Sequence, residues 1–391
     1  MLDGLTRVEP LEAPAEREQR VTPLELFFDL VFVFAITQVT AFLYHDPTWT
    51  RLLQAIAILM ALWIAWSGYV WLGNTAGTDE GAIRVVLFTA MGAVLVVSLA
   101  VPHAFGRDAL VFGVAYFFVR GLHIVAYIVL ARGDAALRAA VVRLGWLELP
   151  GAALLVLAGL LTGTGRATCW VLALLLSYGA RFAGTQGWRV NAGHFAERHG
   201  LIIIIALGES IVALGVGASS LSLSTGVVVG ALLGLTVAAA LWWAYFDVVA
   251  TVAERKLREA GPVERARMAA DSYTYLHLPM VAGIVIFAFG VKTTLAHVHA
   301  HLQSLPAAAL CGGAALYLLA LSTFKLRNIG SFNNPRLVAA AALVALAPAA
   351  TALPALLSLA LVAGIACALI AYEVARYAEA RERIRHAGES R

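Results

Sequence analysis

Charge is what this sequence has least of. Asp, Glu, Lys and Arg make up 13% of its 391 residues, against roughly 25% in a soluble domain. Hydrophobic residues make up 61%, against about 45–50%. A water-soluble globule could not hide so much apolar surface, and a disordered chain would be far more polar. Cysteine is sparse too. Cys169, Cys311 and Cys367 are scattered in apolar runs without paired spacing, which excludes a disulfide framework and a zinc site. They read as small hydrophobes. No Walker loop, dinucleotide fingerprint, nucleophile elbow or kinase motif occurs, so no cofactor is expected. Residues 1–20 lack an apolar h-region, so the first hydrophobic helix is expected to be a retained span.

What is present is a series of long apolar runs. A transmembrane helix needs about 20 mostly apolar residues. Twelve candidates run near 23–44, 52–73, 83–102, 108–131, 141–161, 167–187, 199–219, 223–248, 271–293, 304–324, 335–352 and 354–376. Pro348 and Pro354 interrupt the last stretch, which is either two short helices or one kinked one. Thr22-Pro23-Leu24-Glu25 reads as a capping box with Pro at N1. Asp108, Ser304 and Asn334-Pro335 are further start signals. The expected fold is an all-α polytopic membrane protein of about 12 transmembrane helices.

The net charge of +4 describes topology rather than nucleic-acid binding. With both termini cytoplasmic, Arg51, Arg107, Arg166 and Lys292 fall outside and Arg120 falls within the fourth span. The other 23 of the 28 Lys and Arg residues lie inside, as the positive-inside rule expects. The longest loop, 249–270, is then a charged cytoplasmic surface helix meeting anionic headgroups. The expected setting is a bacterial inner membrane, with the lipid bilayer as the main partner.

An internal repeat divides the chain. Leu30–Gln38 aligns with Leu201–Glu209, Trp66 with Trp243, and Ser177-Tyr178 with Ala371-Tyr372. Two six-helix halves of the same topology follow, as parallel repeats. The organisation is a tail at 1–21, a first half at 22–187, a second half at 188–376 and a tail at 377–391.

The segments Glu25-Leu-Phe-Phe-Asp29-Leu-Val-Phe-Val-Phe-Ala-Ile-Thr-Gln38 and Glu197-Arg-His-Gly-Leu-Ile-Ile-Ile-Ile-Ala-Leu-Gly208-Glu209-Ser210 resemble the signatures of the bacterial low-temperature-requirement A (LtrA) family. Trp242–Asp247 and His277-Leu-Pro279 resemble later family motifs. The resemblance spans about 20–375. It implies a multi-pass bacterial inner-membrane protein linked to growth in the cold, with no implied substrate or reaction.

Ionisable groups inside a bilayer cost at least about 2.5–3.5 kcal/mol each on insertion scales, and they mark pathways, relays or structural pairs. Glu25 and Asp29 lie one helical turn apart. Glu25 also reads as the capping-box carboxylate, whereas Asp29, a turn deeper, reads as a functional carboxylate or half of a buried ion pair. Glu209 lies near the middle of the seventh span between Gly208 and Ser210, a place that suits a proton carrier. Its bland reading is a static pair with Arg120. Arg120 is in turn an anion anchor or a structural counter-ion. His277 shares a helix face with Tyr273. Glu197, Arg198 and His199 are placed at the cytoplasmic start of the seventh span, as a gate or as helix-end charges. Trp63, Trp66, Trp71, Trp242 and Trp243 read as an interfacial belt.

Two classes of function remain. One is a proton-coupled secondary transporter of a small molecule or ion, with Asp29, Glu209, Arg120 and His277 near the midplane and Glu25, Glu197, Arg198 and His199 at the cytoplasmic face. The other is a membrane-embedded enzyme acting on lipid or lipid-linked groups, disfavoured by the lack of a nucleophile and of metal ligands. A scaffold or sensor of membrane state is a third, blander reading.

Overall fold

The computed structural model describes residues 20–76, 81–180, 184–219 and 223–378. The expected tails at 1–21 and 377–391 lie almost entirely outside these residues. Apart from one isolated bridge between His301 and Pro354, the regular structure described is helical. The helices are α1 (Pro23–His45), α2 (Trp49–Ala76), α3 (Gly81–Ala100), α4 (Ala109–Leu130), α5 (Ala135–Leu160), α6 (Gly163–Gly179) and α7 (Ala192–Ser219). They continue with α8 (Thr225–Phe246), α9 (Val249–Glu259), α10 (Pro262–Met268), α11 (His277–Ala296), α12 (Ser304–Ile329), α13 (Asn334–Ala350) and α14 (Ala355–Arg376). A π-helical stretch, Ala269–Tyr275, joins α10 to α11.

Nine helical segments among the described residues are long and apolar enough to cross a membrane. They make the chain a multi-pass membrane protein. Three of the expected spans fall on α6, α7 and α13, which are not among the nine. α6 and α13 have 17 residues each, and the C-terminal part of α7 lies partly outside the residues whose side chains are described.

Local chemistry sets several helix starts. Thr22 caps α1, its hydroxyl accepting from the Glu25 amide at 3.3 Å while the Glu25 carboxylate accepts from the Thr22 amide at 2.9 Å. This is the reciprocal box that the sequence announced. Asn333 caps α13 through the Arg336 amide. The segment around Pro348 and Pro354 resolves into two helices, because the backbone turns at 351–354 between α13 and α14.

Two expectations fail here. α7 begins at Ala192, not near 199, because the Asn191 side chain accepts from the His194 amide at 3.3 Å and starts the helix earlier. Glu197, Arg198 and His199 therefore sit within the helix rather than at its end. The tryptophans do not form one belt. Trp63 and Trp66 are 3% and 1% exposed, whereas Trp242 and Trp243 are exposed. Each interior indole N–H finds an acceptor, which is what allows a tryptophan to be buried.

Neighbouring helices pack in two series. α1 packs on α2 and α3, α3 on α4, α4 on α5, α5 on α6, and α6 returns to α2. α7 packs on α8 and α11, α11 on α12, α12 on α13, α13 on α14, and α14 returns to α8. α9 and α10 lie between α8 and α11 in sequence, with Val249, Ala253 and Leu257 buried along one face of α9. Small residues permit close approach without a hydrophobic driving force. A Cβ at Gly290 of α11 would lie 2.6 Å from the Leu310 backbone of α12. α1 and α7 touch directly and run parallel. Glu25 meets His194 and Asp29 meets Arg198 at the same separation of 169 residues. The face carrying the N-terminal ends of α1 and α7 is termed the near face.

A candidate functional site between α1, α2, α7 and α11

The near-face end of the α1–α7 contact is a buried ionic network. Arg198 places Nη1 at 2.9 Å from Glu25 Oε1 and Nη2 at 2.6 Å from Asp29 Oδ1. His194, one turn before Arg198 on the same face of α7, lies 3.0 Å from Glu25 through Nε2. Its Nδ1 faces the Asn74 amide nitrogen at 3.2 Å. An amide nitrogen only donates, so Nδ1 accepts and Nε2 carries the proton toward Glu25. The Trp66 indole N–H of α2 donates to Asp29 Oδ1 at 2.8 Å. Glu25, Asp29, His194 and Arg198 are all within 1% of complete burial. Glu25 thus serves as the capping carboxylate and as a network member at once. One guanidinium faces two carboxylates, so a single proton on a carboxyl brings the cluster to neutrality.

Beyond Trp66 lies a cage of aromatic rings. His199 sits 5.2 Å from Trp66 and 5.1 Å from His277 between ring centres. Tyr273 stacks on His277 at 5.2 Å. His277 Nδ1 donates to the Ser272 carbonyl, so Nε2 accepts from the Tyr245 hydroxyl at 2.8 Å. His199 Nδ1 donates to the Phe195 carbonyl in the same way. Among the described residues, His199 Nε2, Asp29 Oδ2, Arg198 Nε, Ser272 Oγ and Tyr273 OH have no hydrogen-bond partner. Buried polar atoms without partners are rare, and each calls for a reason. Five such atoms lie around one network. Tyr273 and Tyr245 also line a cavity of about 410 Å3 between α7, α8 and α9, whose rim carries Glu197, Glu254 and Arg258.

The other sequence candidates lie elsewhere. Glu209 accepts a 2.5 Å hydrogen bond from the Thr37 hydroxyl of α1, with Thr40 and Lys292 near it. Arg120 does not pair with Glu209. Its salt bridge is to Glu148 of α5, and it also donates to the Ile64 carbonyl at 2.9 Å. The two helices α4 and α5 pack along their length and bring these charges together. Arg120 and His123 press against Gly68 of α2, where any Cβ would lie 2.7 Å from Arg120 Nη1. A cavity of about 100 Å3 beside them is lined by His123, Glu148, Ser177, Trp71 and Trp188. Asp29, Glu209, Arg120 and His277 are thus distributed over three sets of partners. Of the face candidates, Glu25, Arg198 and His199 converge. Glu197 turns outward to accept from the Val21 amide at 3.1 Å.

His194, Asn74, Tyr245 and Thr37 were not singled out by sequence. His194 had a signal, four residues before Arg198 on one helical face. Asn74, Tyr245 and Thr37 had none, because their partners lie 32 to 172 residues away. No group of three or more His, Cys, Asp or Glu side chains suited to a metal ion occurs among the described residues.

Comparison with known proteins fits this picture. An uncharacterised protein of Rhizobium meliloti (strain 1021) is 31% identical over 309 residues, covering 75% of this chain and 74% of that protein. The family described as "Bacterial low temperature requirement A protein (LtrA)" matches residues 20–371, which includes every member of the network between α1, α2, α7 and α11. The chain therefore belongs to the bacterial low-temperature-requirement A family.

Proposed function

We propose that this protein is a proton-coupled secondary transporter of a small molecule or ion, built as two parallel six-helix halves in the inner membrane with both termini cytoplasmic. The observation that carries the reading is the Glu25–Arg198–Asp29 network. It joins α1 to α7, the first helices of the two halves, near one face. It holds one cation against two carboxylates, so it is a place to take up a proton, and the partnerless polar atoms beside it are donors and acceptors for substrate or water once the helices part. Glu209, on the same pair of helices but deeper, is the second carboxylate of the pathway.

Several observations support the two halves. The two packing series have the same order. Tyr116 of α4 donates to the Ala61 carbonyl of α2 at 3.0 Å, and Tyr317 of α12 donates to the Leu241 carbonyl of α8 at 2.9 Å. Each bond runs from the fourth to the second helix of its half. α1 and α7 run parallel, as repeats related by an axis along the membrane normal require.

The test is electrogenic uptake on solid-supported membranes carrying the reconstituted full chain. Pools of amino acids, organic acids and organic cations are applied under an inward proton gradient. A current with one pool that disappears in Asp29→Asn and Glu209→Gln supports the reading. A folded, oriented protein that passes no current with any pool overturns it.

The enzyme reading draws on one observation, the cavity of about 410 Å3 between α7, α8 and α9 with Glu197, Glu254 and Arg258 at its rim. Thr251 is the sole hydroxyl nucleophile besides tyrosine that lines it, and the carboxylate one turn on, Glu254, is engaged by Arg258 at 2.6 Å. Turnover of a lipid-linked substrate that survives Asp29→Asn would favour this reading over transport.

A further inference from the structure

A separate cluster lies where α8, α12, α13 and α14 end at the near face. Asn333, Arg336 and Glu373 form its floor. Arg336 grips the Glu373 carboxylate at 2.8 Å through Nε and at 3.0 Å through Nη2, and Asn333 donates to the same carboxylate at 2.7 Å. Glu373 is satisfied by this fork, and its charge is matched. The third arm of the guanidinium is not used: Nη1 of Arg336 is buried with no hydrogen-bond partner among the described residues, although the residue is 5% exposed. A partnerless guanidinium nitrogen costs free energy wherever water is excluded, more than a neutral donor does.

The cluster opens into a cavity of about 180 Å3, lined by Arg336, Lys325, Asp247, Trp243 and Tyr377 among others. That is room on the order of six water volumes. Lys325 of α12 stands half-buried in the wall, and Asp247 stands in the wall at the end of α8. Trp243 and Tyr377 are exposed at its edge, where aromatic rings sit at the headgroup level of a bilayer. Basic pockets between helix ends at such a depth are places where phosphorylated headgroups lodge.

We infer that this cavity binds the headgroup of a zwitterionic phospholipid, its phosphate on Arg336 and Lys325 and its ammonium on Asp247. Glu373 already neutralises the charge of Arg336, so the wall offers the Lys325 ammonium, a guanidinium donor and the Asp247 carboxylate. A phosphate–ammonium headgroup meets both, whereas an anionic headgroup brings only repulsion to Asp247. The position between helix ends, with aromatic rings at its mouth, selects a lipid over a soluble anion. The site is independent of the α1–α7 network and of whether the protein transports anything.

The test is native mass spectrometry of the full chain equilibrated with equimolar phosphatidylethanolamine, phosphatidylglycerol and diacylglycerol. One retained phosphatidylethanolamine per chain is expected, with diacylglycerol absent. Lys325→Gln should cut retention at least about tenfold, since it removes a charged partner, and Asp247→Asn should abolish the preference over phosphatidylglycerol. Neither variant touches the Arg336–Glu373 fork, and gel filtration checks that both stay monodisperse. Equal retention of diacylglycerol, unchanged retention in Lys325→Gln, or displacement of the lipid by inorganic phosphate each overturns the lipid site. A wild-type preference for phosphatidylglycerol overturns the role of Asp247.

Discussion

Arg198 and Asp29 stand 2.6 Å apart, on two parallel helices that the chain separates by 169 residues. The same guanidinium holds Glu25, so one side chain fixes the register of α1 against α7. Breaking a buried pair by removing one partner is strongly destabilising, because the other charge is left uncompensated. Arg198→Met should therefore lower stability by about 3–5 kcal/mol. The triple change Glu25→Gln, Asp29→Asn, Arg198→Met should recover most of it. Reversible unfolding of the purified protein in mixed micelles measures both, and a triple variant no better than the single one would show that the network is held by packing alone.

Arg120 provides a sharper contrast. Its partner is Glu148, not Glu209. Glu148→Leu should cost several times what Glu209→Gln costs, since only the first strands a buried guanidinium. A double-mutant cycle of Arg120→Met with Glu148→Leu should give a coupling of about 0.5–3 kcal/mol, and the cycle with Glu209→Gln should give close to none.

Gly68 is a second consequence of the same ion pair. A methyl group there would meet Arg120 Nη1 at 2.7 Å and His123 at 3.1 Å. Gly68→Ala should destabilise by about 1–3 kcal/mol through overpacking, although alanine is the better helix former. Combining it with Arg120→Met should relieve the clash. Melting curves of the two single variants and the double variant decide it.

The cage behind Trp66 makes a test of hydrogen bonding without a change of shape. Tyr245→Phe removes the donor to His277 Nε2 and leaves the edge-on contact of the two rings in place. The expected cost is about 1–3 kcal/mol, the penalty of an unsatisfied buried acceptor. Tyr317→Phe, at the corresponding bond from α12 to α8, should cost a similar amount. A neutral result at Tyr245 would mean that water replaces the lost hydroxyl.

Much of the helix pattern was legible in the chain. The Thr22–Glu25 capping box and the apolar runs are local features, with interactions within four residues. The start of α7 lies about two turns before the expected one, because Arg198 and His199 look like an end of an apolar run. They are interior positions, tolerated because Asp29, Glu25 and Trp66 receive them. Trp66 illustrates the same limit: a tryptophan beside an apolar run looks like a belt residue until an aspartate from another helix accepts its N–H.

The sequence by itself determined that the chain enters a membrane, about where its helices run, and which few charges stay inside. Hydropathy and the cost of desolvating a charge are properties of a residue and its near neighbours. Only the tertiary structure decided that Arg120 belongs to Glu148, that Arg198 serves both Glu25 and Asp29, and that Glu209 rests on Thr37. Pairing depends on which helix faces meet and at what height, and an apolar helix carries little information about either until its neighbours are packed against it.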